Sequence, residues 1–258
     1  MLLFDAGNTR LKWGIKQGDA WLAQGVLDYD SLEEWPAHWP TNWPQDWAPT
    51  HSPAIAFGVN VAGPNRGALI EKALAQAGLA THFFKAEAAR CGLTNLYREP
   101  AQLGADRFAA LIGARALHPG PLLVVCAGTA TTIDHVDAEG YFQGGLILPG
   151  LQMMRESLAH GTAGLPLATG PFVDWPRSTD EAIMAGCLAA QVGAVMQMWQ
   201  RLPDTPDRLC LLCGGAAASL VMQMPQPCRQ VPDLVLQGVA QLATQWVAEQ
   251  IGASRGMR

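Results

Sequence analysis

The chain has 258 residues, of which 49% are hydrophobic and 15% are charged, and its net charge is −5. This length fits one or two domains of about 150 residues each, and so high a hydrophobic content excludes a disordered chain. The acidic balance argues against a protein that binds nucleic acid through phosphate contacts, because such binding requires a surplus of lysine and arginine.

The N-terminal residues predict a buried strand rather than a signal peptide, because no basic segment precedes the apolar run at residues 1–4. The longer uncharged stretches contain prolines and threonines that make poor spanning helices, so we predict no membrane segment. The six cysteines are scattered through apolar contexts, a pattern typical of reduced thiols in a cytoplasmic protein.

The first predicted element in chain order is a β-hairpin. Residues 2–4 form an apolar run and residues 5–9 form a turn. Leu11, Trp13 and Ile15 then alternate with residues that are less apolar. This alternation predicts a second strand with one face toward the core and the other toward a cleft or solvent.

Tryptophans recur at every fourth position from Trp35 to Trp47, and a proline follows each of the first three. Proline at this spacing excludes a regular helix interior. Two interpretations remain open for this segment. It is either an aromatic docking surface or an irregular surface segment that packs its indoles on the domain, and we favour the second interpretation.

Further elements lead to a predicted domain boundary. The hydrophobic patterns predict a strand at residues 54–61 and helices at residues 67–77 and 105–117. Residues 118–121, His-Pro-Gly-Pro, then break the last helix. We therefore predict two domains, at residues 1–117 and 118–258.

The second half of the chain begins as the first half does. Residues 123–134 contain an apolar run, an Ala-Gly turn with small hydroxyl residues and a second run, and this order parallels residues 2–9. A third strand is predicted at residues 141–147. Two copies of one supersecondary unit indicate a duplicated architecture.

The remaining predicted elements are mainly helical. Ser178 and Glu181 have the spacing of a capping box, so a helix is predicted from this point to Trp199. This helix is apolar nearly all round, which is typical of a helix buried in a core or at a subunit interface. A strand at residues 209–212 and a C-terminal helix at residues 234–251 complete the prediction.

The two glycine-containing turns are candidate phosphate sites, because glycine allows backbone amides to converge on one concavity. Asn8 and Thr9 in the first turn, and Thr129 in the second, add short polar side chains. Lys12 is a cation within reach of a transferring phosphoryl group, and Asp5 is a candidate ligand for Mg²⁺, which prefers oxygen. One such turn would be typical of an ordinary hairpin, whereas two related turns suggest a nucleotide held between two domains.

A second constellation lies at the start of the helix predicted at residues 105–117. Asp106 is a candidate general base for a substrate hydroxyl, and the guanidinium of Arg107 suits an acidic group. The helix dipole alone also favours an aspartate in a first turn, so a structural role for Asp106 stays open. Cys210 and Cys213 have CxxC spacing, but no second pair follows at the spacing of a zinc site.

Together these residues resemble type III pantothenate kinase, a family within the superfamily of acetate and sugar kinases, heat-shock chaperone ATPases and actin. The resemblance spans nearly the whole chain and rests on five segments in order, at residues 5–12, 97–107, 128–134, 144–150 and 178–183. It implies an α/β fold of duplicated ribonuclease H-like (actin-like ATPase) domains, each a mixed sheet flanked by helices, with the active-site cleft between them. It also implies ATP-dependent phosphorylation of pantothenate to 4'-phosphopantothenate, the first step of coenzyme A biosynthesis.

The resemblance also implies roles for single residues. Asp106 is implied as the catalytic base. The residues implied to hold the ATP phosphates are Asp5, Ala6, Gly7, Asn8, Thr9, Arg10, Leu11, Lys12 and Thr129. The residues implied to contact pantothenate are Tyr97, Gly104, Ala105, Asp106, Arg107 and Thr179. In this family the substrate site lies at a homodimer interface, so Thr179 is expected to act on the partner subunit's site.

Two positions depart from the family pattern. Cys126 stands where the family usually has an aspartate that binds a monovalent cation, K⁺ or NH₄⁺, and a neutral thiol is a poor ligand for such an ion. Residues 57–61 replace a turn that commonly contains serine. Two alternatives therefore stay open. One is a related small-molecule kinase of the same superfamily, against which residues 97–107 argue, and the other is a catalytically silent nucleotide-binding regulatory protein.

Overall fold

The structure is a computed structural model that describes residues 1–39 and 54–256. The chain divides into two compact units. Unit 1 comprises Met1–Leu117 and Leu234–Arg258, and unit 2 comprises His118–Asp233. Trp43 and Trp47 of the tryptophan-rich segment lie outside the described residues.

Unit 1 contains a five-stranded mixed sheet in the order β3-β2-β1-β4-β5. The first two strands form the predicted hairpin, and the first, fourth and fifth strands run parallel. Their completely buried side chains, such as Phe4 and Ile15, form the core of the unit. The bounds are β1 Leu2–Ala6, β2 Leu11–Gln17, β3 Ala20–Leu27, β4 Ala54–Asn60 and β5 Leu79–Phe83.

Three α-helices and a short hairpin also belong to unit 1. Helix α2 has the predicted bounds, whereas α1 begins three residues before its predicted start because Pro64 suits the first position of a helix. The bounds are α1 Pro64–Gln76, β6 Ala89–Arg90, β7 Leu93–Asn95, α2 Ala105–Leu117 and α6 Leu234–Gly256.

Helix α6 corrects the predicted domain ranges, since it was assigned to the second domain and belongs to unit 1. Its Gly238 lies against the backbone of α2, where a Cβ atom would overlap the Ala109 carbonyl group. On the other helix, a Cβ atom at Gly113 would lie 2.5 Å from the Leu234 carbonyl oxygen. Two glycines at this crossing therefore allow the helices to pack closely, although they are far apart in sequence.

A short helical segment before the undescribed region favours the packing interpretation for the first tryptophans. Tyr29–His38 forms a 3₁₀ helix. Trp35 is completely buried and packs edge-to-face on Phe4 with ring centroids 6.0 Å apart. Trp39 packs on Trp35 in turn, at 5.9 Å. These two indoles are therefore part of the packing of unit 1.

Five strands of unit 2, in the order β10-β9-β8-β11-β12, repeat the sheet topology of unit 1. Three consecutive strands form an antiparallel meander, and two further strands run parallel to the first strand of that meander. This repeat confirms the predicted duplication. The bounds are β8 Leu122–Ala127, β9 Ala130–Val136, β10 Tyr141–Pro149, β11 Leu209–Cys213 and β12 Cys228–Gln230.

The helices of unit 2 are α3 Leu151–Gly161, α4 Thr179–Trp199 and the short α5 Ala217–Leu220. The predicted cap of α4 is present, since the Glu181 N–H donates to Ser178 Oγ at 3.3 Å. Among the described residues, α4 alone is long and apolar enough to cross a membrane by length and composition, and core helices pass the same test. One face of α4 packs in the core of unit 2, with side chains such as Leu188 and Val195.

Candidate active site

The first candidate phosphate turn connects β1 to β2. The Gly7 N–H donates to the Arg10 carbonyl at 3.2 Å and closes the turn. The residue after β4, Val61, donates its N–H to the Ala6 carbonyl at 3.0 Å. The turn therefore lies at the carboxyl ends of two parallel strands, which is where open α/β sheets bind their ligands.

Asp5, the fourth residue of β1, is the most perturbed carboxylate near this turn. It is only 6% exposed and lies opposite Lys12 in the β1–β2 register. Burial raises the pKa of Asp5 to about 7, Lys12 opposes that rise, and the nearby Asp106 carboxylate adds to it. Asp5 therefore gains or loses a proton near neutral pH, and its charge depends on what binds beside it.

Asp106 lies in the first turn of α2, as the sequence predicts. Burial raises the pKa of its carboxyl group, while hydrogen bonding from the Arg107 amide and the charges of Arg107 and Lys12 oppose the rise. Asp106 Oδ1 accepts the Arg107 N–H at 2.8 Å. Asp5, Lys12 and Asp106 thus form one electrostatically coupled cluster within unit 1.

Gly104 leaves room for the Asp106 carboxylate. Its carbonyl accepts the Phe108 N–H at 2.9 Å at the start of α2, and a Cβ atom at Gly104 would lie 2.8 Å from Asp106 Oδ1. That distance is too short for a real Cβ contact, so a side chain here would displace the Asp106 carboxylate. Gly104 consequently has a positioning role that the sequence alone did not identify.

Arg107 and Tyr97 are in contact beside Asp106. Arg107 is buried, and its Nη1 donates to the Tyr97 hydroxyl at 3.1 Å. The guanidinium also lies 5.8 Å from the centre of the Tyr97 ring. The structure therefore brings together two of the residues that the resemblance implies as pantothenate contacts.

Asn95 was missed by sequence reasoning, although it fixes the segment that carries Tyr97. This buried side chain donates from Nδ2 to the carbonyl groups of Pro100, at 3.0 Å, and Glu87, at 3.3 Å. Its Oδ1 accepts the Tyr97 N–H at 3.1 Å. Asparagine commonly bonds backbone two residues ahead, so its position two residues before Tyr97 is the one available sequence signal.

The side chains of unit 1 fit a magnesium ion that is shared with a phosphate ligand. Asp5 Oδ1 is buried and has no hydrogen-bond partner among the described residues. Within residues 1–39 and 54–256 no cluster of three or more His, Cys, Asp or Glu side chains could hold a metal ion. Mg²⁺ usually takes one or two carboxylates together with waters and substrate phosphates, so a lone buried aspartate is compatible with it.

The second candidate phosphate turn, in unit 2, connects β8 to β9 and exposes Thr129. The Gly128 N–H donates to the Ala130 carbonyl at 3.1 Å, as in the first turn. Gly150 packs directly on this turn and donates its N–H to the Thr129 carbonyl at 2.9 Å. Gly214, with φ of +97°, lies against the Ala127 carbonyl where a Cβ atom would overlap it.

Cys126 and Thr179 are the remaining predicted positions in unit 2. Cys213 Sγ donates to Cys126 Sγ at 3.0 Å across the β8–β11 register. Thr179 is exposed at the start of α4 and lines a cavity of about 580 Å³ between α3 and α4. The cavity walls are mainly apolar, with side chains such as Leu158 and Ile183.

Arg10, a predicted phosphate contact, forms an ion pair at the surface. Its Nε lies 3.5 Å from Asp28 Oδ1, and both side chains are mostly exposed. Such surface pairs typically contribute about 0–1 kcal/mol, so this pair leaves Arg10 able to exchange partners. Asn8 and Thr9 are exposed in the same turn.

Comparison with known proteins places the chain in a family. The family model described as type III pantothenate kinase matches residues 1–201. A type III pantothenate kinase from Aromatoleum aromaticum is 47% identical over 245 residues, which cover 94% of this chain and 97% of the relative.

Solved structures show the fold. A conserved Baf family protein from Campylobacter jejuni has a TM-score of 0.61 at 20% identity, over 95% of this chain and 98% of that one. The activator of 2-hydroxyisocaproyl-CoA dehydratase from Clostridium difficile, solved with bound ADPNP, has a TM-score of 0.53 at 10% identity, over 98% of each chain. The fold is that of the actin-like ATPases, and the chain belongs to the type III pantothenate kinase family.

Proposed function

We propose that Asp106 is the general base of this pantothenate kinase and that the first turn holds the phosphates of ATP. Family membership supplies the reaction, which is ATP-dependent phosphorylation of pantothenate at the start of coenzyme A synthesis. The observation that carries the residue roles is the coupled cluster of Asp5, Lys12 and Asp106 in unit 1. Phosphoryl transfer requires positioned groups and neutralised charge more than covalent chemistry, and this cluster can provide both.

In the proposed step the oxygen of the pantothenate terminal hydroxyl attacks the γ-phosphorus of ATP while Asp106 takes the hydroxyl proton. The bond between that phosphorus and the bridging oxygen breaks, so the products are 4'-phosphopantothenate and ADP. The raised pKa of Asp106 favours this role, because a base is most effective when its pKa lies closer to the working pH.

The other groups of the first turn neutralise and orient the phosphates. Amide N–H groups between Gly7 and Arg10 and the ammonium of Lys12 are the proposed phosphate contacts. Asp5 would hold Mg²⁺, which supplies further neutralisation of phosphate charge when it is bound. Thr129 of unit 2 is proposed as a further phosphate contact on the strength of the family resemblance.

Pantothenate binding is assigned to the segment that ends in Asp106. Tyr97, Gly104, Ala105 and Arg107 are proposed contacts, and Asn95 fixes the backbone that leads to them. Arg107 is buried and donates to the Tyr97 hydroxyl, which supports a role in orienting that ring beside the substrate. A phenol and a guanidinium also suit the hydroxyl, amide and carboxylate groups of pantothenate.

A homodimer is part of the proposal, with Thr179 acting on the partner subunit's site. The support comes from the outward face of α4, which exposes small residues beside the cavity that Thr179 lines. These are Ala182, Gly186, Ala189, Ala190 and Gly193. Small residues let a second helix approach closely, so a second copy of α4 fits this face. We place the enzyme in the cytoplasm, where its cysteines would stay reduced.

A monovalent cation, K⁺ or NH₄⁺, is proposed from the resemblance alone. Cys126 replaces the usual aspartate ligand, and its sulfur is engaged by Cys213. Backbone carbonyl groups would therefore have to supply most of the oxygen ligands. An aspartate restored by Cys126→Asp is expected to lower the K⁺ concentration needed for half-maximal activity.

A substrate panel tests the assigned function. Purified protein is mixed with ATP and Mg²⁺, and ADP release is measured with pantothenate, with acetate and with a set of sugars, each with K⁺, NH₄⁺ or neither. We expect turnover with pantothenate and none above background with the others. Turnover with a sugar or acetate in place of pantothenate would favour a related kinase, and ATP binding without any turnover would favour a regulatory protein.

A further inference from the structure

Two side chains from outside the first turn hold its backbone. The Tyr29 hydroxyl donates to the Gly7 carbonyl at 2.6 Å. The Arg66 guanidinium donates from Nη1 to the Asn8 carbonyl and also lies over the Tyr29 ring, 4.3 Å from its centre. Tyr29 and Arg66 thus contact each other and two successive peptide groups of the turn.

These contacts fix the direction of the amide groups as well as the carbonyls. A peptide unit is planar and trans, so its N–H points away from its C=O. When Tyr29 and Arg66 hold the carbonyls of Gly7 and Asn8, the N–H groups of the same two peptides, those of Asn8 and Thr9, turn to the opposite side of the backbone.

We propose that Tyr29 and Arg66 are positioning residues for ATP, because they preset the amides of the first turn toward the phosphates. This inference rests on the proposed function, in which that turn holds the ATP phosphates. Neither residue needs to touch the nucleotide for this role. Preset donors raise affinity because less ordering remains to be done when the ligand binds.

The position of Arg66 argues for a role beyond stabilising its own helix. It lies in the first turn of α1, two residues after Pro64 at the helix start. A cation is disfavoured there by the helix dipole, which suits cations at the C-terminal end instead. The contacts with the Asn8 carbonyl and the Tyr29 ring compensate for that placement.

Tyr29 is suited to remain a donor. Burial raises the pKa of its phenol to about 12, while the Arg66 charge opposes the rise. The hydroxyl therefore keeps its proton throughout the range in which a kinase works. A carbonyl can only accept a hydrogen bond, so the Gly7 contact requires this protonated form.

The test uses full-length protein and steady-state kinetics for ATP and for pantothenate. Tyr29→Phe removes one hydroxyl and keeps the ring under Arg66, and Arg66→Lys keeps the charge but loses the planar guanidinium. Because one hydrogen bond contributes about 0.5–1.5 kcal/mol, we expect each variant to raise KM for ATP about three- to tenfold. The KM for pantothenate should stay near the wild-type value, and the melting temperature should fall by no more than about 2–6 °C, as the loss of one such hydrogen bond implies.

Two further variants keep the outcome clear. Tyr141→Phe is the matched control, because Tyr141 is an exposed tyrosine on β10 in unit 2, and its KM for ATP should not change. Lys12→Met tests the proposed function itself, and we expect it to raise KM for ATP more than either positioning variant.

The possible results separate the two claims. If Lys12→Met raises KM for ATP but Tyr29→Phe and Arg66→Lys do not, the positioning role is wrong and the phosphate site stands. If Lys12→Met leaves KM for ATP unchanged, the phosphate site is wrong and the positioning role falls with it. Equal rises in KM for ATP and pantothenate, together with a larger fall in melting temperature, would show a structural role only.

Discussion

The two candidate phosphate turns have the same topology but are held in place by different means. The first turn is surrounded by ionisable groups, namely Asp5, Lys12 and Asp106, and side chains from Tyr29 and Arg66 bind its carbonyls. The second turn is held by backbone, since the Gly150 N–H binds the Thr129 carbonyl and Gly214 packs against Ala127.

This difference separates two tasks within a duplicated fold. The first turn carries the charged groups that we propose for phosphoryl transfer, so its sensitivity to substitution should be mainly electrostatic. The second turn has Cys126 and Thr129 beside it and depends on close backbone approach, so its sensitivity to substitution should be mainly steric. A common sheet topology thus does not imply a common response to substitution.

The largest expected effect on the first turn comes from Asp5→Asn. We expect turnover to fall at least about a hundredfold, in line with the loss of one electrostatic group at a reacting centre. ADP release at saturating ATP and pantothenate measures this effect. Asp19→Asn, at an exposed position in the β2–β3 turn of the same unit, serves as the control and should retain wild-type turnover.

The Asp5→Asn variant should also be more stable than the wild type at high pH. The pKa of Asp5 is about 7 in the folded chain, well above the value of about 3.9 in an unfolded one. Its ionisation therefore costs stability, and the cost grows as pH rises from about 4 to 7 and is complete above that range. In the absence of ligands, Asp5→Asn should raise the melting temperature at pH 8 and leave it nearly unchanged at pH 4. A lower melting temperature at pH 8 would contradict the assigned burial.

Alanine substitutions of glycine compare the steric demands of the turns directly. A Cβ atom at Gly150 would overlap the Gly128 carbonyl and lie 2.6 Å from the Thr129 carbonyl oxygen, whereas one at Gly7 would lie 3.3 Å from the Arg10 carbonyl oxygen. Gly150→Ala should therefore lower unfolding free energy by about 1–3 kcal/mol and raise KM for ATP about tenfold.

Gly7→Ala should have a smaller effect on both quantities. The free energy of unfolding in denaturant and the KM for ATP are measured for both Gly7→Ala and Gly150→Ala. Gly252→Ala on α6 serves as the control, because a Cβ atom there meets nothing within 4 Å. If Gly7→Ala were the more damaging change, the contrast between the two turns would be wrong.

A change of pH is expected to have a smaller effect, which is on the Mg²⁺ concentration that the wild-type enzyme requires. With a pKa of about 7, roughly one tenth of Asp5 is ionised at pH 6 and nine tenths at pH 8, and Mg²⁺ binds the ionised form. The Mg²⁺ concentration for half-maximal activity should consequently be about tenfold higher at pH 6 than at pH 8. A requirement that does not change with pH would exclude Asp5 as the magnesium ligand.

Much of the fold followed from local patterns in the sequence. The two hairpins, helix α2 and the capped start of α4 formed where alternation, periodicity and the Ser178 cap predicted them. Helix α3 and strand β3 were not predicted. In β3 the exposed and half-buried positions alternate at a sheet edge, which leaves a weak hydrophobic signal.

Features that depend on contacts between distant residues could not be predicted from local sequence patterns. The place of α6 in unit 1 depends on Gly113 and Gly238, and the contact of Tyr29 with Gly7 joins residues 22 positions apart. The raised pKa of Asp5 likewise depends on burial by the whole unit. The candidate site could be predicted as a list of residues, whereas its electrostatics and its positioning contacts required the structure.

The central claim is that Asp106 accepts the proton of the attacking hydroxyl. The most direct measurement is the turnover number of Asp106→Asn with pantothenate, together with its dissociation constant for ATP. Asparagine can still accept the Arg107 N–H, so the fold should persist. We predict that turnover falls about 10²- to 10⁴-fold while ATP binding stays within threefold of the wild type. Turnover near the wild-type value would contradict the claim.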